Sequence, residues 1–184
     1  EIYQNIIYSG KHFAIGSIPG MEDHTITVSG LSKTAAMTGW RIGWAISSEQ
    51  NIKDINKLQG HTVSCCTSFA QEGAIAAFTG PQKPIEDMVA RFHTRRDLML
   101  DLLSEIPTLE CNVPDGAFYL FPKYSVDISS AELAKRMLEE VHVAVTPGIA
   151  FGPHGEGFFR LSYAASEEDI REGISRIKKF MGSL

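Results

Sequence analysis

The 184-residue sequence predicts an α/β protein with a smaller α+β part after about residue 90. Three observations carry that reading. Strand-like and helix-like stretches alternate through the first half. A long run over 85–106 places Ile85, Met88, Val89, Phe92, Met99, Leu102, Leu103 and Ile106 at helical spacing, opposite Asp87, Arg91, Arg95 and Asp101. After Pro107 the pattern changes to short strand-like runs broken by turn signals. At about 150 residues per domain the length allows one domain, or one and a fraction. The run over 85–106 has the length of a helix bridging two domains, so the division is set at 1–90 and 91–184.

Each element follows from its residues. Thr25-Ile26-Thr27-Val28 is β-branched and alternating, which predicts a strand over 25–31. Trp40 to Ile46 reads as a second strand, and the small and polar residues 32–39 connect the two. Ser48 is placed to cap a helix to about Leu58, with Ile52, Ile55 and Leu58 on one side. A loop over 61–68 leads to a helix over 69–78 that Gly80-Pro81 ends. Pro114-Asp115-Gly116 marks a turn before a strand over 117–121. Ser129-Ser130-Ala131-Glu132 forms a capping box for a helix to about Glu140. Residues 141–146 alternate into a short strand broken by Pro147-Gly148, and 158–163 read as another. Ser166 caps a last helix with Ile170, Ile174, Ile177 and Met181 inward and Lys178 and Lys179 at its C-terminal end, where the helix dipole favours cations.

Composition narrows the function classes. Hydrophobic residues make up 43%, enough for a sizeable core. The net charge of -5 argues against a general nucleic-acid binder, which would show a basic face. No apolar run approaches the roughly 18 residues of a membrane helix. Cys65, Cys66 and Cys111 do not make a disulfide framework. Reduced thiols in a cytoplasmic protein are the expectation. The six histidines show no metal-ligand spacing, so no metal site is expected. The chain opens on Glu1-Ile2-Tyr3 without a methionine and without a basic-then-apolar leader, directly into structured-looking sequence. It is expected to be the later half of a longer protein.

The chemistry concentrates in Ser29 to Trp44. Lys33 stands where one strand ends, among small residues. Arg41 stands eight residues on, amid Trp40, Ile42 and Trp44. An arginine fork suits a planar or phosphate anion. A lysine beside another cation and partly withdrawn from water loses its proton more readily and becomes a usable amine nucleophile. A carbonyl-bearing phosphate ester needs both groups at once. A surface turn lysine and a strand-edge arginine give the same spacing, so spacing alone leaves both readings open.

The wording goes further. Gly30-Leu31-Ser32-Lys33, followed by Ala36-Met37-Thr38-Gly39-Trp40-Arg41-Ile42-Gly43, resembles the pyridoxal-phosphate attachment signature of class I/II aminotransferases, nearest the bacterial and archaeal aspartate aminotransferase group. Glu1-Ile2-Tyr3, Arg95-Arg96-Asp97, Pro114-Asp115-Gly116-Ala117-Phe118-Tyr119, Pro147-Gly148-Ile149-Ala150-Phe151-Gly152 and Arg160-Leu161-Ser162-Tyr163-Ala164 resemble further family motifs in the same order. The resemblance covers essentially the whole chain.

It implies fold type I of the PLP-dependent transferases. Residues 1–90 would be the C-terminal part of the large cofactor-binding domain, and 91–184 the small C-terminal domain. The implied cofactor is pyridoxal 5'-phosphate, and the implied substrates are an amino acid, aspartate first, and a 2-oxo acid. Lys33 would be the Schiff-base lysine and proton carrier. Arg41 would hold the cofactor phosphate, Tyr3 would donate to the ring's phenolic oxygen, and Arg160 would grip the substrate α-carboxylate. Family members pair as homodimers with sites at the subunit interface, and the loop 62–68 would reach the partner's cofactor.

Two departures accompany the resemblance. Ala35 stands where the family usually has Phe or Tyr, which removes an aromatic wall near the lysine. The family's first half is also missing: the aspartate for the pyridine nitrogen, the glycine-containing phosphate loop, the ring-stacking aromatic and an asparagine. Little transaminase activity is therefore expected of the isolated chain. Two other functions share the fold: a non-catalytic ligand sensor behind a DNA-binding domain, and a β-eliminating lyase.

Overall fold

A computed structural model describes residues Glu1–Leu184. The chain forms two compact units, Glu1–Val89 and Ala90–Leu184. No helix is long and apolar enough to cross a membrane.

In the first unit, strand β1 (Thr27–Gly30) pairs antiparallel with β2 (Gly43–Ile46), in the register Thr27↔Ile46 to Gly30↔Gly43. A single helical turn, α1 (Leu31–Thr34), follows β1 without a break, and a 3-10 turn (Thr38–Trp40) precedes β2. Helices α2 (Glu49–Thr62) and α3 (Ser68–Thr79) complete the unit. Ser48 stands at the N-cap of α2 as expected, but its side chain makes no capping hydrogen bond. The helix runs four residues past Leu58, and Thr62 Oγ1 donates back to Leu58 O at 3.1 Å. Few side chains of this unit are fully enclosed: Ile6, Leu31, Met37 and Ala70 are its buried hydrophobics. Val28 and Ile46 lie on opposite faces of the strand pair and are both about three-fifths exposed (61% and 62%).

Helix α4 (Lys83–Ser104) starts and stops two residues before the expected 85–106, with Pro84 in its first turn, where a missing N–H costs nothing. The second unit holds its part from Ala90 onward, with Met99 and Leu103 buried. Strands β4 (Tyr119–Leu120), β6 (Thr146–Pro147) and β7 (Phe159–Ser162) form an antiparallel sheet in the order β4-β7-β6. A smaller pair joins β3 (Leu109–Glu110) to β5 (Lys123–Tyr124). Helices α5 (Ser130–Val141) and α6 (Glu167–Met181) carry the apolar stripes. Leu133, Ala134 and Met137 are buried on α5, and Ile170, Ile174, Ile177, Phe180 and Met181 on α6. Both caps read from sequence are present: Ser129 Oγ accepts from Glu132 N at 3.3 Å, and Ser166 Oγ from Asp169 N at 3.0 Å.

Two expected strands are corrected. Residues 117–121 pair only at Tyr119 and Leu120, because Ala117 is left-handed (φ 60°) and Pro122 lacks an N–H. Residues 141–145 form no strand. Val141 ends α5, His142 takes the left-handed position after it (φ 57°), and pairing begins at Thr146.

The loop between β6 and β7 depends on two glycines. A Cβ on Gly148 would stand 1.9 Å from Gly155 O and 2.6 Å from Phe158 O. Gly148→Ala is therefore expected to destabilise the second unit by about 3 kcal/mol. Gly173 on α6 has open space around it, and Gly173→Ala should stabilise by about 0.5–1 kcal/mol through the helix propensity of alanine. Urea denaturation midpoints of the two variants check both signs.

Candidate active site

In the first unit the strand pair carries both cations of the Ser29–Trp44 stretch at one end. Gly30 and Gly43 are the last register pair. Neither tolerates a side chain, since a Cβ on Gly30 would meet Ile42 O at 2.9 Å and one on Gly43 would meet Ser29 O at 2.7 Å. Beyond that pair the chain turns through α1, with Leu31 and Thr34 buried beneath and Lys33 half-buried. Leu31 O accepts from both Ala35 N (3.1 Å) and Met37 N (3.3 Å), which folds the connection back on itself. Ala35 closes α1, and Ala36 takes a left-handed conformation (φ 53°).

Arg41 is not in the strand, contrary to the sequence reading. It follows the 3-10 turn in a left-handed conformation (φ 54°), two residues before β2 begins. The cause is a contact across the sheet: the Gly30–Gly43 pair starts the ladder at Gly43, and Arg41 Nη1 closes the turn by donating to Thr38 O at 2.6 Å. The guanidinium is exposed. Trp40 and Trp44 anchor the stretch to α3 through edge-on contacts with Phe69 (5.7 Å) and Phe78 (5.2 Å).

Tyr3 belongs to the same unit and is half-buried. The opening residues run beside the end of β1: Ser29 Oγ donates to Glu1 O at 3.2 Å, and Ile2 Cδ1 lies 3.3 Å from the position of a Gly30 Cβ. Lys33, Arg41 and Tyr3 are thus borne by segments meeting at one end of the strand pair.

Arg160 stands in the second unit, on β7. Phe159 and Leu161 point into the core, so Arg160 lies on the opposite face by strand alternation. Its register partner is Thr146, whose Oγ1 accepts from Nη2 at 3.4 Å. Its Cζ lies 4.4 Å from the ring centre of Tyr119 and 4.9 Å from that of Phe151. Two aromatic faces and a hydroxyl hold the guanidinium without neutralising it, which leaves its charge available to a carboxylate. The sequence reading did not single out Tyr119 or Phe151 for this role. The only signal was their place within motif stretches.

A second group was invisible in the sequence. Glu156 accepts from Ser130 N (2.6 Å) and Ser130 Oγ (2.8 Å), and Tyr124 Oη lies 3.4 Å from the same carboxylate. Ser130 Oγ also accepts from Ile149 N at 3.2 Å. The carboxylate thereby ties the start of α5 to the loop that presents Phe151 to Arg160. The hydrogen bonds from Ser130 hold the Glu156 carboxyl below the usual glutamate range, and burial pushes the Tyr124 phenol up.

Comparison with known proteins places the chain in a family. The model of aminotransferase class I and II matches residues 1–177, and the chain belongs to that family. A probable aspartate aminotransferase of Methanocaldococcus jannaschii is 44% identical over 97% of this chain and 48% of its own length. An aspartate aminotransferase of Musicola paradisiaca is 43% identical, over 96% of this chain and 45% of its own. The crystal structure of an aromatic aminotransferase from Pyrococcus horikoshii superposes with a TM-score of 0.94 at 37% identity, covering 100% of this chain and 50% of that one. The chain therefore has the fold of PLP-dependent aminotransferases and spans about half the length of these relatives.

The Glu156 clamp makes a pH prediction. A carboxyl depressed in the folded state contributes stability above its unfolded pKa and loses it as pH falls through the folded value. Stability of the native chain should fall on acidification below the ordinary glutamate range, and Glu156→Gln should flatten that fall while lowering stability at pH 7. Urea unfolding across an acid pH series, followed by tryptophan-independent circular dichroism, measures it.

Proposed function

We propose that this chain supplies the lysine-bearing part of a pyridoxal 5'-phosphate-dependent aminotransferase that moves an amino group between an amino acid, aspartate first, and a 2-oxo acid. The observation that carries the proposal is the placement of Lys33 on the turn directly after β1, with Arg41 and Tyr3 on segments meeting at the same end. The residues fit the cofactor's chemistry. Lys33 offers an amine to an aldehyde, Arg41 an exposed fork to a phosphate, and Tyr3 a phenol to an anionic ring oxygen.

Bound pyridoxal phosphate supplies an electron sink for the pair released at the substrate's Cα. The chain's own residues do the rest. Lys33 Nζ would hold the cofactor through its aldehyde and would carry the proton released at the substrate's Cα. Arg41 would hold the phosphate end through its exposed fork. Tyr3 Oη donates to the phenolic oxygen and stabilises its charge. Arg160 binds the α-carboxylate through two parallel N–H donors and so orients the Cα–H bond for cleavage. In this reading residues 1–90 are part of a large cofactor-binding domain, residues 91–184 form a small domain, and the whole protein acts as a cytoplasmic homodimer.

The test is borohydride trapping. Incubation with pyridoxal phosphate, reduction, digestion and mass spectrometry should place the pyridoxyl group on Lys33. Arg41→Ala should reduce that labelling by about tenfold or more, the worth of one charge-assisted phosphate contact. Labelling scattered over the other lysines, and unchanged in the Arg41 variant, would sink the assignment. The readout is attachment and not turnover, because the chain spans about half the length of its relatives.

A further inference from the structure

We infer that Cys65 and Cys66 form a dithiol site for an aromatic trivalent arsenical, with the arsenic bridging both sulfurs and the aromatic ring lying in the apolar cavity beside them. The inference does not rest on the proposed aminotransferase activity.

The two residues are consecutive and joined by a trans peptide, which holds their Cα atoms about 3.8 Å apart. Two thiols so placed span a single soft, thiophilic atom. They sit between α2 and α3 on a short loop whose path is fixed. Ser64 is left-handed (φ 62°) and its N–H donates to Gln59 O at 3.1 Å. On the other side, Gln71 Nε2 donates to Cys66 O at 3.1 Å. Cys65 is exposed and Cys66 half-buried, so reagent can reach the pair.

Both cysteines line a cavity of about 500 Å³ whose other walls include Ile42, Trp44, Ala74 and Phe78. That volume lies in the range of small-molecule sites and exceeds a phenyl ring severalfold. Trp44 and Phe78 already meet edge-on, at 5.2 Å and 66°, and offer a further ring the same geometry. The surroundings are apolar on one side and thiophilic on the other, which matches an aryl arsenical and not a hydrated metal ion.

Cys111, in the second unit, is the internal contrast. Burial pushes its thiol up, and it has no neighbouring cysteine to complete a chelate. The step conserves oxidation state. Two S–H bonds and the arsenic–oxygen bond of the arsenoxide break, two As–S bonds form, and the oxygen leaves as water with both protons. Arsenic remains trivalent throughout.

The test uses the reduced chain and phenylarsine oxide. Intact mass should show one phenylarsenic adduct per chain, on the peptide containing Cys65 and Cys66. It should be lost in Cys65→Ser and Cys66→Ser and kept in Cys111→Ser. Adjacent thiols react in an unfolded chain as well, so the cavity is read from retention against 2,3-dimercaptopropanol. The folded chain should hold the phenyl adduct about tenfold more tightly than the urea-unfolded chain. Phe78→Ala should remove that advantage, and so should Ala74→Leu, which fills the cavity from α3. The methyl arsenical should be held equally by all of them. Equal retention of the phenyl adduct in the folded chain, the unfolded chain and both cavity variants would overturn the inference, as would an adduct on Cys111.

Discussion

Gly30 and Gly43 touch through their backbones, and the geometry around Lys33 and Arg41 depends on that contact. A methyl group on either would strike a carbonyl oxygen at 2.9 or 2.7 Å. The contact ends the β1–β2 ladder at a defined residue, so the chain leaves β1 directly into the turn that bears Lys33. It also holds the Thr38–Trp40 turn back from β2, which puts Arg41 outside the sheet with its guanidinium at the surface. A larger residue at either position would separate the strands and move both cations together. The specificity of the stretch therefore lies in the absence of side chains as much as in the charged ones.

The second unit solves the same problem with more material. It encloses a core from Met99 to Met181, whereas the first unit's buried hydrophobics are Ile6, Leu31, Met37 and Ala70. A two-stranded sheet with exposed apolar residues on both faces is marginal by itself. The positioning of Lys33 thus rests on a thin local core and on aromatic contacts to α3. The positioning of Arg160 rests on a full hydrophobic layer: Phe159 and Leu161 fix the strand, and alternation turns Arg160 outward. The loop carrying Phe151 is secured separately, by the Gly148–Gly155 backbone contact and by Glu156 on Ser130.

Much of this was legible in the sequence where the signal is local. The caps at Ser129 and Ser166 and the stripe on α6 follow from residues within one or two turns of each other. Lys33 and Arg41 stood out because their wording resembles a known signature, not because their spacing demanded a site. The left-handed turn at Arg41 was not legible, since arginine carries no preference for it and the cause lies in a glycine contact across the sheet. The Glu156–Ser130 bond joins residues 26 apart, and no local pattern announces it. Tyr119 and Phe151 reach Arg160 through sheet register and a loop fold, both of which are tertiary facts. Strands β3 and β5 are two residues long, below the length at which alternation can be read.

Three of the five left-handed residues that carry a Cβ fall in the same stretches; Ser64 and His142 lie at helix ends elsewhere. Ala36 and Arg41 flank the connection after Lys33, and Ala117 precedes the Tyr119 that faces Arg160. A left-handed conformation at a residue with a Cβ costs roughly 1 kcal/mol or more, so it persists only where neighbours impose it. At Ala117 they do so directly: Tyr163 Oη donates to Ala117 O at 3.2 Å, and Arg96 Nη1 to Pro114 O at 2.9 Å. At Ala36 and Arg41 the restraint is the doubly accepting Leu31 carbonyl, the buried Met37 and the Arg41–Thr38 bond. Relaxing either turn would recover that energy and displace a cation or an aromatic wall. Stability alone gives no reason to keep three such residues beside Lys33, Arg41 and Arg160. The roles proposed for Lys33, Arg41 and Arg160 would supply one, since each needs its amine or guanidinium held in a fixed position.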